Sequence, residues 1–114
     1  MEDCIFCKIA AGVIPSNKVF ENNTILAFHD IHPLAPTHIL VIPKKHYTNL
    51  ETLDATDQSL LGHLLHVTNL VAKQENIAKD GYRVVINCGS WGGQVVHHLH
   101  IHLLGGRKLA DTLG

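Results

Sequence analysis

Between His98 and Leu103 the chain alternates strictly between histidine and an aliphatic residue, and this constrains the fold more than any other stretch. Successive side chains of a strand point to opposite faces, whereas a helix would scatter the same residues around its axis. A strand puts His98, His100 and His102 on one face and Leu99, Ile101 and Leu103 on the other, toward a core. Neighbouring imidazoles then stand about 6.6 Å apart, from a rise of about 3.3 Å per residue. Such a row makes a polar pocket floor. A merely solvated strand face needs only serine, threonine or lysine, so three histidines point to chemistry. His97 has the opposite parity and is read as structural.

The remaining chain supplies partners for that strand. Residues 4–11 read as a short helix, with Asp3 as cap and Gly12 as terminator. Val19–Phe20 and Ile25–Phe28 flank a turn at Asn22–Asn23 and read as a hairpin. Two prolines make IHPLAPTH a loop, and HILVIP at 38–43 is a β-branched strand. Leu60, Leu64, Val67 and Val71 recur at helical spacing, predicting one long helix over 55–79 with Gly81 as its left-handed terminator. YRVVIN at 82–87 and residues 94–104 are the last strands. Hairpins plus one long helix make an antiparallel α+β domain, expected to occupy 1–114 as one unit.

Several function classes are disfavoured. A formal net charge of −1 gives no electrostatic pull toward nucleic acid. No apolar run is long enough to span a bilayer, and MEDCIFCKIA lacks the basic and apolar segments of a signal peptide. Three cysteines, an odd number, fit reduced thiols better than a disulfide framework. A cytoplasmic enzyme without membrane or nucleic-acid partners is the expectation. An imidazole row suits either a metal or nucleophilic catalysis, because its proton affinity lies near neutrality.

The segment HLHIHLL at 98–104 resembles the signature of the histidine triad (HIT) superfamily. CIFCKI, the IP pair at 14–15, AFHDI, APTHILVIPKKH, LLGHL, GYRVVIN, GGQ and LLGGR, in that order, resemble its nucleoside phosphoramidase, Hint-like, branch over nearly the whole chain. The resemblance implies a HIT-like fold: a five-stranded antiparallel sheet with one long and one short helix, extended across a homodimer. It implies hydrolysis of purine nucleoside 5′-phosphoramidates, such as AMP joined to a lysine amine, through a covalent nucleotidyl-His100. A phosphoramidate needs its leaving nitrogen protonated. His102 would contact the phosphate or donate that proton, and His38 would support the nucleophile. Ile5, Phe6, Ile9, Phe28, His29 and Ile31 would enclose the base, and Asp30 would take the ribose hydroxyls. Asn87, Gly93 and Gln94 would meet the phosphate, with the N–H groups of Gly92 and Gly93 open to an anion. Val95 departs from the branch, which commonly has a serine or threonine there, and the tail KLADTLG lacks the tryptophan of animal members.

The pair Cys4 and Cys7 lies one helical turn apart and can share an ion, for which zinc wants four nitrogen or sulfur ligands. The resemblance supplies His46 and His98 as the other two, making the zinc structural and the chemical step metal-free. Three rivals differ in test. A dinucleoside polyphosphate hydrolase would prefer P–O–P over P–N bonds. A catalytic metal held by the three histidines would lose turnover on chelation. A nucleotide sensor would bind without turnover.

Overall fold

The structure, a computed structural model, describes residues 3–114. Helix α1 (Ile5–Ala10) leads into strands β1 (Lys18–Glu21), β2 (Ile25–His29) and β3 (Thr37–Pro43). Helix α2 (Gln58–Gln74) follows, then β4 (Arg83–Val85) and β5 (Ile101–Gly105). The five strands form one antiparallel sheet in the order β1-β2-β3-β5-β4.

Both faces of the sheet are covered, which is why β2 and β3 read as continuous apolar runs rather than alternating ones. One face carries Ile25, Ala27, Ile39, Val41, Ile101 and Leu103 against Leu64, Val67 and Val71 of α2. The other carries Leu26, Phe28, Leu40 and Ile42 against Phe6 and Ile9 of α1. The hairpin turn is closed by Asn22, whose Oδ1 accepts the N–H groups of Thr24 and Ile25.

Several boundaries differ from the sequence expectation. Cys4, not Asp3, caps α1: its Sγ accepts the Cys7 N–H at 3.3 Å. Gly12 then leaves the helix with φ 79°. α2 begins at Gln58 because a 3-10 turn at Ala55–Asp57 precedes it. There Asp54 accepts the Thr56 N–H, and Asp57 accepts the Asp54 N–H. α2 ends at Gln74, five residues early. Asn76, at φ 62°, supplies the left-handed residue that Gly81 was expected to supply. The Ile77 N–H reaches the Ala72 carbonyl and the Asn76 N–H reaches that of Lys73, which satisfies both. Ile77 then drops into the core.

The last strand starts at Ile101 rather than at residue 94, and β4 keeps only three of the six residues 82–87. The ladder with β3 stops at Val41↔Ile101. Beyond it Pro43 has no N–H to donate, and its carbonyl accepts the His98 ring. The Leu99 N–H goes to the Tyr47 carbonyl at 2.6 Å. Only His102 therefore lies on regular strand, with His98 on a bend and His100 on the irregular segment that leads into β5. The parity still holds, with Leu99 in the α2-side core beside Ile101 and Leu103.

Candidate functional site

His98 and His100 lie under Phe6 of α1, and His102 beside them is half-buried. His98 is fully buried and His100 is 6% exposed. Phe6 meets both edge-on, at ring-centroid distances of 5.9 and 5.2 Å, and the rings of His100 and His102 are 4.9 Å apart. Burial lowers the proton affinity of His98, His100 and His38, and holds His102 at about 4, helped by its neighbours His100 and His38. For His38, Asp30 Oδ2 at 3.4 Å pulls the other way. Burial wins, so this contact joins a carboxylate to a neutral imidazole.

Neutral imidazoles each carry one proton, and the hydrogen bonds fix where it sits. The Leu34 N–H donates to His38 Nδ1 at 3.0 Å, so His38 holds its proton on Nε2. That Nε2–H donates to His102 Nδ1 at 2.9 Å, which leaves His102 with an Nε2–H. His100 Nδ1–H donates to the His98 carbonyl at 2.6 Å, so His100 Nε2 is a bare lone pair. His98 Nε2–H donates to the Pro43 carbonyl at 2.8 Å, turning its Nδ1 lone pair toward the cysteines. His38 therefore hydrogen-bonds His102 rather than His100, which it was expected to support.

A cavity of about 440 Å³ opens beside this row, and all seven residues named above for base and ribose line it: Ile5, Phe6, Ile9, Phe28, His29, Asp30 and Ile31. Leu40, its neighbour across the wall, stands directly opposite His102 in the ladder. One oxygen of Asp30 accepts the His32 N–H at 2.8 Å, making Asp30 a turn residue as well. Leu40 shares parity with His38, a signal the sequence offered. Pro15, from the IP pair, also lines the cavity, as do Ser16, Asn17, His32 and Val96, to which no motif pointed.

The residues expected at the phosphate are not on this wall. Gln94 is buried, its Oε1 accepting the Gly89 N–H and its Nε2 donating to the Thr48 and Val96 carbonyls. The N–H groups of Gly92, Gly93 and Gln94 bond to the carbonyls of Gly89, Ser90 and Gly89. The turn thus satisfies its own donors and leaves none of the three for an anion. Asn87 is half-buried on the β4–β5 connection. Val95 and Trp91 are exposed, and neither lines the cavity.

Cys4, Cys7, His46 and His98 form a second cluster whose ligand atoms all lie within 4.8 Å of one another. Cys4 Sγ is 3.2 Å and Cys7 Sγ 3.6 Å from His98 Nδ1, and Cys7 Sγ is 3.3 Å from His46 Nδ1. A tetrahedron with Zn–S of about 2.3 Å and Zn–N of about 2.0 Å has sulfur–nitrogen edges of about 3.5 Å. The Pro43 carbonyl on His98 Nε2–H orients that ligand as an outer partner would. The donor set therefore fits zinc. Asp30, His38 and His102 also converge, but the Leu34 N–H on His38 Nδ1 keeps His38 Nε2 protonated and without a lone pair for an ion. The three triad histidines do not converge on one point, since their Nδ1 atoms face Cys4, the His98 carbonyl and His38. The lone pair of His98 faces the cysteines and His102 has none free, so the three do not offer donors to one shared metal position.

The HIT domain family model matches residues 11–109, leaving Cys4 and Cys7 outside it. A purine nucleoside phosphoramidase of Escherichia coli is 45% identical over 112 residues, 98% of this chain and 94% of that protein. An HIT-like protein of Synechococcus elongatus is 55% identical over 109 residues, 96% of this chain and 95% of that one. The crystal structure of an HIT family hydrolase from Legionella pneumophila superimposes with a TM-score of 0.96 at 48% identity, covering 98% of this chain and 100% of that chain.

Proposed function

This chain belongs to the HIT family and is a hydrolase of the histidine triad type, and from that premise we propose that it hydrolyses purine nucleoside 5′-phosphoramidates through a nucleotidyl-His100 intermediate. One observation carries the reading. The His98 carbonyl takes the His100 Nδ1–H, so a neutral imidazole presents an unprotonated Nε2 at the site. The E. coli relative named a purine nucleoside phosphoramidase supports the substrate class.

In the proposed reaction the nucleoside enters the α1–β2 cavity, with Phe6 and Phe28 at its base and Asp30 at its ribose. His100 Nε2 attacks the α-phosphorus as the P–N bond breaks. Splitting one displacement into two makes each easier. His102 donates its Nε2–H to a non-bridging phosphoryl oxygen. With a proton affinity held to about 4 it serves as a hydrogen-bond donor rather than a proton reservoir, so the leaving amine takes its proton from water at the cavity mouth. Water then attacks the phosphorus, the nucleoside monophosphate leaves, and His100 regains its lone pair. His38 acts through His102, fixing its tautomer.

Zinc at Cys4, Cys7, His46 and His98 is part of the proposal. When bound it supplies a fixed positive charge that stabilises the thiolates and ties α1 to the segment before β5. The sheet ends on β4, whose outer edge pairs with nothing among the described residues, so joining two β4 edges into a homodimer is proposed as well. Among the described residues no helix is long and apolar enough to cross a membrane. Three free cysteines suit the proposed cytoplasmic location.

The test is hydrolysis of adenosine 5′-phosphoramidate by the wild-type chain and by His100→Ala, each with and without chelator. Turnover that survives brief chelation and disappears in His100→Ala supports the reading. Faster turnover on a dinucleoside polyphosphate would move the substrate class. Binding of AMP with no turnover would overturn the reaction.

A further inference from the structure

The cavity has a far end that the reaction does not use. Its lining residues follow the strand order outward from the imidazoles: Leu40 on β3, Phe28 and His29 on β2, then Ser16 and Asn17 just before β1. From β5 to β1 is three strand spacings, about 14 Å. That suits a nucleoside monophosphate lying across the strands, with its phosphorus at His100 and its base toward β1. At that far wall Ser16 carries the one side-chain polar atom among the described residues that is shielded from solvent without a hydrogen-bond partner, its Oγ. Buried polar groups are otherwise paired almost everywhere in proteins, so an orphan in a cavity wall points to a partner that arrives with the occupant. The loop is held in place, because the His29 N–H donates to the Asn17 carbonyl at 3.0 Å.

We infer that Ser16, with the exposed Asn17 beside it, reads the polar edge of the nucleobase at the far end of the cavity. The inference rests on the nucleotide reading of this cavity and adds its base-recognition element. One χ1 rotation between staggered wells presents the Ser16 hydroxyl to the occupant. A hydroxyl both donates and accepts, as does a carboxamide. The pair therefore takes either a 6-amino or a 6-oxo purine and selects against a purine with no group at that position. The aromatic and aliphatic walls grip the ring, and these two residues read its edge.

The experiment measures calorimetric binding of AMP and of purine riboside 5′-monophosphate, which lacks the exocyclic amine, to wild type, Ser16→Ala and Asn17→Ala. Wild type should prefer AMP by about fivefold or more, the worth of one hydrogen bond. Ser16→Ala should shrink that preference toward one, and Asn17→Ala should move it in the same direction. Without ligand, Ser16→Ala should melt at the wild-type temperature or above, because it removes an unpartnered buried hydroxyl. Loss of stability without a change in the preference would make Ser16 structural and overturn the inference. Equal binding of the two monophosphates by wild type, or binding of neither, would also overturn it. Retained preference in a protein that hydrolyses no phosphoramidate would sink the proposed reaction and leave the base reader standing.

Discussion

Phe6 is the residue on which the two halves of the site meet. It lines the cavity, packs edge-on against Phe28 at 5.6 Å and covers His98 and His100. At 6% exposure it is also core. Phe6→Ala should lower stability in denaturant titration by about 3–5 kcal/mol, the usual cost of deleting a buried aromatic. It should also let water reach the imidazoles, which are neutral because they are buried, so NMR titration should show their proton affinities rising toward ordinary values. A drop in stability without that rise would mean other residues keep the row dry. At the same scale His38 tests the tautomer chain. His38→Gln keeps a donor for His102 Nδ1, whereas His38→Ala removes it. The glutamine variant should keep more of the kcat than the alanine variant, with KM little changed in either. Equal losses would assign His38 to packing alone.

At the scale of elements, α1 is six residues long, too short to persist alone. Its packing on the sheet and the Cys4, Cys7, His46, His98 cluster hold it. Chelation of the zinc-loaded protein, or Cys7→Ser, should lower the melting temperature, with about 4 kcal/mol at stake when zinc is a thousandfold above its dissociation constant. An unchanged melting temperature after complete metal removal would show that packing alone docks α1. The close fit of α2's exit to β5 is a second element-scale constraint. A Cβ on Gly105 would lie 2.8 Å from Ile77 Cδ1 and 3.1 Å from its Cβ. Gly105→Ala should therefore cost about 1–3 kcal/mol by overpacking, read as an earlier denaturant midpoint.

These elements also show what the sequence made legible. Period-two alternation gave the face of the imidazoles, and apolar periodicity gave α2, because both are repeated signals. The ends were harder. Asn76 rather than Gly81 ends α2, since an asparagine tolerates the left-handed conformation and Ile77 gains a core position by turning there. The early start of the final strand depends on which carbonyls Pro43 and Tyr47 offer across the fold, which no local pattern encodes. The cavity residues set by the AFHDI and CIFCKI motifs were legible together. Ser16 was not, because only the strand order brings the segment before β1 to the cavity's far end. The internal bonding of the 89–94 turn was equally hidden, since glycines read the same whether their N–H groups face an anion or close a turn.

For the molecule as a whole, the dry histidine row makes stability depend on pH with a definite sign. His102 has its proton affinity lowered from 6.5 to about 4 in the folded chain, and that of His38 is lowered as well. Above about 6.5 these rings are neutral in both folded and unfolded states and favour neither. As pH falls below 6.5 the unfolded chain binds protons that the folded chain refuses, so stability drops. For His102 the drop continues to about 4, where the folded form accepts the proton too. Each such unmatched proton contributes a slope of about 1.4 kcal/mol per pH unit. Carboxylates act in the same direction in a lower window: Glu21, bonded by Lys44 and Lys18, and Asp54, bonded by Thr56, have lowered affinities and lose their contribution only as pH falls below their ordinary values of 4.5 and 3.8. Denaturation midpoints should therefore be flat from pH 7.5 to 6.5 and decline steadily toward 4.5. His102→Gln keeps a polar neighbour without a titrating group, so it should make that decline shallower, the remainder belonging to His38, His98 and His100, whose proton affinities burial also lowers. A decline equally steep in His102→Gln would place the acid sensitivity elsewhere than in His102.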